Sequence, residues 1–481
     1  MSNKFTFGSN LKKWVYGLTI IGLLVGIAGA LLFDETGHQR RLWANLLLNT
    51  YYFAGIAVTG VFFVAAHQLG YGGWHTVFKK IPIAMGRFLF VAFALILIII
   101  TGMWIAPESL YSHWAGHHTD SIVEGKRFLL TKFRYSVIVG GFYFLWALFA
   151  YLLGKKFISI KNWKEYSSAK SISAAFLLVF GVSSSVLSWL VIMSLDPHWY
   201  STLFGWYNLA SYFCGGFAMM ILILIGLKKA GYLPNVHVDH IHDLGKLMFG
   251  FSIFWTYLMF SQFMLIWYAN IPEATVWFNK RFDIPLFKTI FFLALAINFF
   301  LPLLVLMKRD SKRKFLTMAF ASVMLIFGHY LDFFHMVMVE PMGIEHGSAE
   351  HEEEHGEEHA VLLEEGVLFA QNEEHNTVSE EVQSAEVLVE EVHAEEVHAD
   401  VEVSHEATEE EMHVVVAGDA HGDEHHGEGE VLTHAKLGLV EIFMFFGFLG
   451  LFLLMTFTGL DGEELEIEED PFLKESLHHH I

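Results

Sequence analysis

The 481-residue chain has one cysteine, Cys214, and nine prolines. A single thiol cannot form an intramolecular disulfide, hold an iron–sulfur cluster alone or supply a C-x-x-C-H haem attachment. Charged residues are also scarce, at 17% of the chain, while hydrophobic residues reach 54% and mean hydropathy is +0.43. The sharpest absence is local. From residue 343 to residue 430 there is no lysine or arginine, against 29 aspartates and glutamates. The formal net charge of −22 is therefore a property of that segment, since the remainder holds 23 acids and 30 bases, a net of +7. Elsewhere the bases lie in short clusters beside apolar runs. They form no extended patch, so nucleic acid is not an expected partner.

What is present is a series of long apolar runs. Ten of them, at 14–33, 42–66, 83–105, 135–153, 172–195, 203–227, 247–269, 285–307, 315–339 and 437–458, are each long enough to cross about 30 Å of hydrocarbon. A soluble domain would show polar faces at regular spacing, and these runs show none. Membrane barrel strands would be about ten residues long and alternating. The sequence therefore predicts an all-α, polytopic membrane protein with ten transmembrane helices. The first run follows Lys12 and Lys13 and ends near Ala28-Gly29-Ala30, as a signal peptide does, but its length favours an uncleaved anchor.

If the N-terminus is cytoplasmic, 20 of the 30 lysines and arginines fall on the cytoplasmic side. That bias places both termini in the cytoplasm and the acidic segment outside. The chain then divides into a nine-helix core (1–342), the acidic loop (343–430), a tenth helix (431–460) and an acidic cytoplasmic tail (461–481). The loop holds 12 histidines and reads as disordered and low in complexity, and 461–470 reads as disordered too. Nothing is drawn from the His478-His479-His480 run.

Ionisable side chains within membrane spans are costly, so each is a candidate for function. The ninth run carries His329, Asp332 and His335, followed by Glu340. Each step of three residues drifts about 60° round a helix, which strings an imidazole, a carboxylate and an imidazole along one side. Such groups donate and accept protons near neutral pH. Glu441 and the Asp196-Pro197-His198 string should lie at similar depth, towards the outer surface. A second set opens the seventh run: Asp239, His240, His242, Asp243 and Lys246, with Tyr257, Ser261 and Gln262 farther along. It reads either as a proton entrance or as an ordinary helix start with acids near the N-terminus.

No two buried histidines match in depth across facing helices, so no intrinsic haem is expected. The His/Glu-rich loop would bind metal weakly in many arrangements, yet no fixed intramembrane ligand set accompanies it, and no metal site is assigned. The 46 phenylalanines, 13 tryptophans and 16 tyrosines suit lipid-facing belts, and composition alone does not separate these from a quinone cleft.

The string Asp239-His240-Ile241-His242-Asp243-Leu244-Gly245-Lys246-Leu247-Met248-Phe249-Gly250 runs on through Phe254-Trp255-Thr256-Tyr257 to Phe260-Ser261-Gln262-Phe263. Together with His329-Tyr330-Leu331-Asp332-Phe333-Phe334-His335 it resembles the membrane subunits of alternative complex III, the bacterial quinol:cytochrome c oxidoreductase. The likeness is to the second of two related subunits, within the polysulfide reductase membrane-subunit family, and covers most of residues 7–341. The chain has Ala274 where another acid is expected after Glu273, and its acidic insert is longer than the pattern requires.

The resemblance implies two four-helix bundles, spans two to five and six to nine, flanked by spans one and ten. It implies a complex that oxidises a membrane quinol and passes electrons through partner iron–sulfur and multihaem cytochrome subunits, beside a related membrane subunit. This chain would carry no redox centre. Whether it binds quinone or only conducts protons stays open, the sister subunit being the stronger quinol candidate. Two other classes stand beside this one: a divalent-metal transporter with a His-rich collector loop, and a structural scaffold for redox subunits.

Overall fold

The computed structural model describes residues 4–33, 38–116, 121–342, 438–467 and 469–479. Among them are ten helices long and apolar enough to cross a membrane. They are Ser9–Leu32, Arg40–Leu69, Lys80–Ile105, Lys132–Ile158, Trp163–Leu195, Leu203–Lys229, Val238–Ala269, Pro285–Leu306, Phe315–Val337 and Leu439–Leu460, here spans one to ten. The protein is thus an all-α, multi-pass membrane protein. Among the described residues the only β-pairing is an isolated bridge between Lys4 and Glu464. The His/Glu-rich loop 343–430 lies outside the described residues.

Each predicted run corresponds to one helix. Several helices extend past their apolar stretch because polar side chains cap them. Asn162 starts span five by accepting the backbone N–H groups of Lys164 and Glu165, both at 3.1 Å. Thr131 starts span four by accepting the Arg134 N–H at 3.3 Å. Pro285 opens span eight, where its missing N–H costs nothing.

Spans two, three, four and five pack in a ring, and spans six, seven, eight and nine form a second ring. These are the two four-helix bundles, and spans two and six join them. Span two is enclosed along most of its length, and two of its polar side chains turn to their own backbone. Asn49 Nδ2 donates to the Asn45 carbonyl at 2.8 Å, and Thr59 Oγ1 to the Gly55 carbonyl at 2.8 Å. Polar groups shielded from water need such partners.

Spans one and ten form a separate pair on the flank. Span one faces lipid over most of its surface, with Trp14 80% and Leu32 77% exposed. Its grip on span ten is backbone to backbone: a Cβ built on Gly22 would lie 2.4 Å from the Gly447 nitrogen. Small residues let membrane helices approach this closely, and dispersion then holds them together. Span ten is fixed in turn to the core by Phe445, Phe448 and Phe452, whose rings lie 5.7–6.3 Å from that of Phe53. Each such ring pair contributes about 1 kcal/mol beyond its buried area.

Two segments outside the spans position the polar sites. Between spans seven and eight, the helix Pro272–Asp283 buries Trp277, Phe278 and Arg281. The second segment, 461–479, corrects the sequence reading of disorder at 461–470. It is laid across the helix ends nearest the N-terminal segment. Asp461 accepts the Phe7 N–H at 2.8 Å, Glu466 accepts the Asn235 N–H at 2.8 Å and Glu475 accepts the Gly73 N–H at 3.0 Å. Asp470 pairs with Lys79, and Glu469 with Lys161 at 2.9 Å. Acids that read as a solvated tail are met by bases and backbone N–H groups of the facing segments.

Candidate functional site

The deepest ionisable cluster lies in the second bundle. Asp332 on span nine is 3% exposed and sits five residues before the end of its helix, about 8 Å inward by helical rise. Span six contributes Tyr207, whose hydroxyl donates to Asp332 Oδ1, and Ser211, whose Oγ donates to Oδ2 at 3.0 Å. Span seven contributes Trp255, whose indole N–H donates to Oδ2 at 2.9 Å. The carboxylate thus has three donors, which compensate its removal from water.

Ser211 Oγ also lies 2.9 Å from His329 Nδ1. A hydroxyl has one proton to give, so when it donates to Asp332 it accepts from His329 Nδ1–H. His329 Nε2 has no hydrogen-bond partner among the described residues, and the ring meets Trp255 edge-on at 5.4 Å. The residues Tyr207 and Ser211 carry no signal in the sequence alone. A serine and a tyrosine four residues apart on an apolar helix are as readily packing groups.

The predicted ladder is interrupted beyond Asp332. His335 is 2% exposed, and its Nε2 has no hydrogen-bond partner among the described residues. Its ring is surrounded by Trp277, Phe287 and Phe291, with centroids 6.1, 6.4 and 5.5 Å away. A cavity of about 10 Å³, room for the centre of one water molecule, is lined by both Asp332 and His335.

Next to His335, at the bundle end opposite the tail, is a charged cluster. Lys280 Nζ lies 3.3 Å from Asp196 Oδ2 and 3.1 Å from Glu340 Oε1. His198 lies 3.7 Å from Asp196 and His113 3.9 Å from Glu340. Arg281 is 1% exposed, stacks on Trp277 at 3.6 Å and donates to the Trp277 carbonyl at 2.7 Å. Burial weakens the Arg281 charge and brings its pKa to about 10, with the nearby Glu340 and Asp196 carboxylates opposing that shift. For Lys280 burial is outweighed by those two carboxylates, so its pKa is raised. Burial also works against the Asp196 charge, but the His198 hydrogen bond and the Lys280 and Arg281 charges hold its carboxyl below the usual range. Burial and the charge of Asp196 leave Glu340 above it. One shared cation thus serves a firmly ionised acid and a reluctant one. The sequence placed Asp196, His198 and Glu340 at this level, but Lys280 and Arg281 counted there only as loop bases.

At the tail end, the four predicted entrance residues are together but not alike. Asp239 pairs with Arg313 at 2.6 Å. His240 Nδ1 accepts the His237 N–H at 3.0 Å, and its Nε2 faces the Ser476 carbonyl at 3.1 Å. Both nitrogens are engaged, which fixes one neutral tautomer and makes His240 a pin. His242 and Asp243 lie 3.6 Å apart, and Asp243 also meets Lys246 at 2.5 Å and His479 at 2.7 Å. Beside them His75 is buried. That burial, with the charges of His67 and Lys79, holds its pKa well below the usual histidine range.

Two predicted members of the path lie elsewhere. Tyr257 is 63% exposed on the lipid side of span seven, so it does not line the bundle interior. Glu441 is fully buried, but its oxygens meet Arg41 Nε and Nη2, both at 2.9 Å, and its Oε2 accepts the Gly438 N–H at 2.8 Å. It anchors the start of span ten, in a contact separate from the Asp332 cluster. Gln262 is buried, with no partner for its Oε1 among the described residues. Between the two ends, Ser252 on span seven donates to the Asn298 carbonyl of span eight, where the helix widens into a π-turn over Ala296–Phe300. The Asn298 amide is buried and without a partner among the described residues. An asparagine inside the run Ala296-Ile297-Asn298-Phe299-Phe300 was the available signal for it.

Among the described residues, no three His, Cys, Asp or Glu side chains converge as a metal ligand set. A crevice of about 760 Å³ lies among spans six, nine and ten and the N-terminal segment, and no acid, base or histidine lines it. No family model matches the chain, and no curated protein matches its sequence.

Proposed function

We propose that this chain is the second membrane subunit of an alternative complex III, a bacterial quinol:cytochrome c oxidoreductase. It sits in the cytoplasmic membrane with both termini inside the cell. Partner iron–sulfur and multihaem subunits carry the electrons released from membrane quinol, and this chain contributes a proton route. The single observation that carries the reading is the buried chain His329–Ser211–Asp332, with contacts of 2.9 and 3.0 Å. A carboxylate, a hydroxyl and an imidazole in line can hand on a proton without moving their heavy atoms.

The transfer balances at each atom. A doubly protonated His329 gives its Nδ1 proton to the Ser211 oxygen as Ser211 gives its own proton to Asp332 Oδ2. His329 is left as neutral imidazole, Ser211 is unchanged and Asp332 is a carboxylic acid. Protons enter through Asp243 and His242 at the inner end. They leave through the acids that share Lys280 at the outer end.

The test is Asp332→Asn in the assembled complex. Quinol:cytochrome c turnover and proton release should both fall, on the order of 100-fold if the group is obligatory. Normal turnover with normal proton release would remove the relay from the reading.

A further inference from the structure

The short histidine run near the end of the chain has no role in the reading above. It nevertheless reaches one of the sites. His479 Nε2 lies 2.7 Å from Asp243 Oδ2, across 236 positions of sequence. Its ring stacks on Trp74 at 5.7 Å and faces His240 at 5.3 Å. The side chain is 18% exposed, against 12% for Asp243. His479 is thus the more exposed member of the pair.

Its position is built. Phe472 N–H donates to Asp470 at 2.9 Å and starts the turn Leu473–Leu477. Ser476 Oγ donates to the Trp74 carbonyl at 2.6 Å and accepts the Val77 N–H at 3.1 Å. The Ser476 carbonyl meets His240 Nε2 at 3.1 Å. Three elements therefore hold the segment at the mouth of span seven.

We infer that the C-terminal segment supplies His479 as the surface proton acceptor that loads Asp243. This rests on the proton entrance proposed above. His479 takes a proton from a hydronium ion of the bulk phase, leaving water, and becomes imidazolium. It then gives the Nε2 proton to Asp243 Oδ2, returning to neutral imidazole while Asp243 becomes a carboxylic acid. The charged or titratable groups facing the pair are His240, which is held neutral by its two hydrogen bonds, His242 at 3.6 Å from Asp243 and Lys246 at 2.5 Å. The Lys246 contact favours the ionised form of Asp243 and so release of its proton to the interior.

The experiment uses the intact complex in vesicles, with proton uptake followed by a dye on the tail side during quinol oxidation. His479→Ala should slow uptake at least about tenfold, and millimolar imidazole should restore it. His479→Gln keeps a hydrogen-bond donor for Asp243 but cannot take up and release a proton, and should be equally slow. Slow uptake that imidazole does not restore, or normal uptake in His479→Gln, would overturn the inference. Asp243→Asn separates the two levels. If it blocks uptake while the His479 variants are normal, the entrance stands and only His479 is excluded. If Asp243→Asn is itself normal, the entrance fails and this inference with it.

Discussion

Arg41 and Glu441 are joined by a two-pronged ion pair across 400 positions of sequence, with Nε–Oε1 and Nη2–Oε2 both at 2.9 Å. Glu441 is fully buried and the Arg41 side chain is 11% exposed. Asn45 adds a third contact to Glu441 Oε1 at 3.3 Å. The pair fastens span ten to span two at the end away from the tail. Breaking one partner leaves a buried charge without compensation, at a cost of about 3–5 kcal/mol. Glu441→Leu should therefore lower the melting temperature in detergent sharply. The double variant Arg41→Met with Glu441→Leu should recover much of the loss. Proton release per turnover should stay normal in the double variant, because the pair is separate from the Asp332 cluster.

Ser211 bridges His329 and Asp332, so its hydroxyl acts only as part of that unit. Ser211→Ala should reduce proton release at least about tenfold with little change in expression, since the alanine fits the space. Residues that act in series are not additive. Ser211→Ala combined with Asp332→Asn should be no slower than Asp332→Asn alone. A fully additive double variant, measured by the same proton-release assay, would show that the serine works apart from the acid.

Lys280 is the shared cation of Asp196 and Glu340, and Lys280→Met should destabilise the protein by about 3 kcal/mol at neutral pH. The direction with pH follows from each shift. Lys280, raised by the two carboxylates against burial, stabilises fully below the ordinary lysine range and loses this as pH rises through its folded value. Asp196, held below its ordinary value, stabilises above that value and loses this as pH falls through its folded value. Glu340, raised by burial and by Asp196, opposes the fold when ionised and is relieved by acid. With the cation removed, Glu340 should dominate. The melting temperature of Lys280→Met should then rise between pH 7 and pH 5, where the unsubstituted protein changes little.

Span number was legible because apolar length is a strong signal, and all ten runs became helices. Facing was not. Trp255 and Tyr257 are two residues apart, which is about 200° round a helix. Trp255 points at Asp332 and Tyr257 at lipid, yet both are aromatic groups with a polar tip. The spacing of Ser252, Trp255, Met259 and Gln262 at steps of three and four contained the buried face, and Tyr257 falls outside it. Partners from other helices were illegible for a different reason. Glu441 looked like a free acid at the right depth, and only contact with Arg41 showed it to be occupied. The tail misled because its acids met partners 230 and more positions away, a pairing that local composition does not report.

Segment 461–479 also bears on the order of assembly. Its partners Phe7, Gly73, Asn235 and His240 belong to parts of the chain made long before it. During synthesis that end of the bundle stays open, with Asp243 and the bases of the neighbouring loops exposed to water. Closure follows the synthesis of those parts, and it is all long-range, so it is slow compared with formation of each helix. A bulky group joined close behind His479 would load this tether and disturb the surface at Asp243.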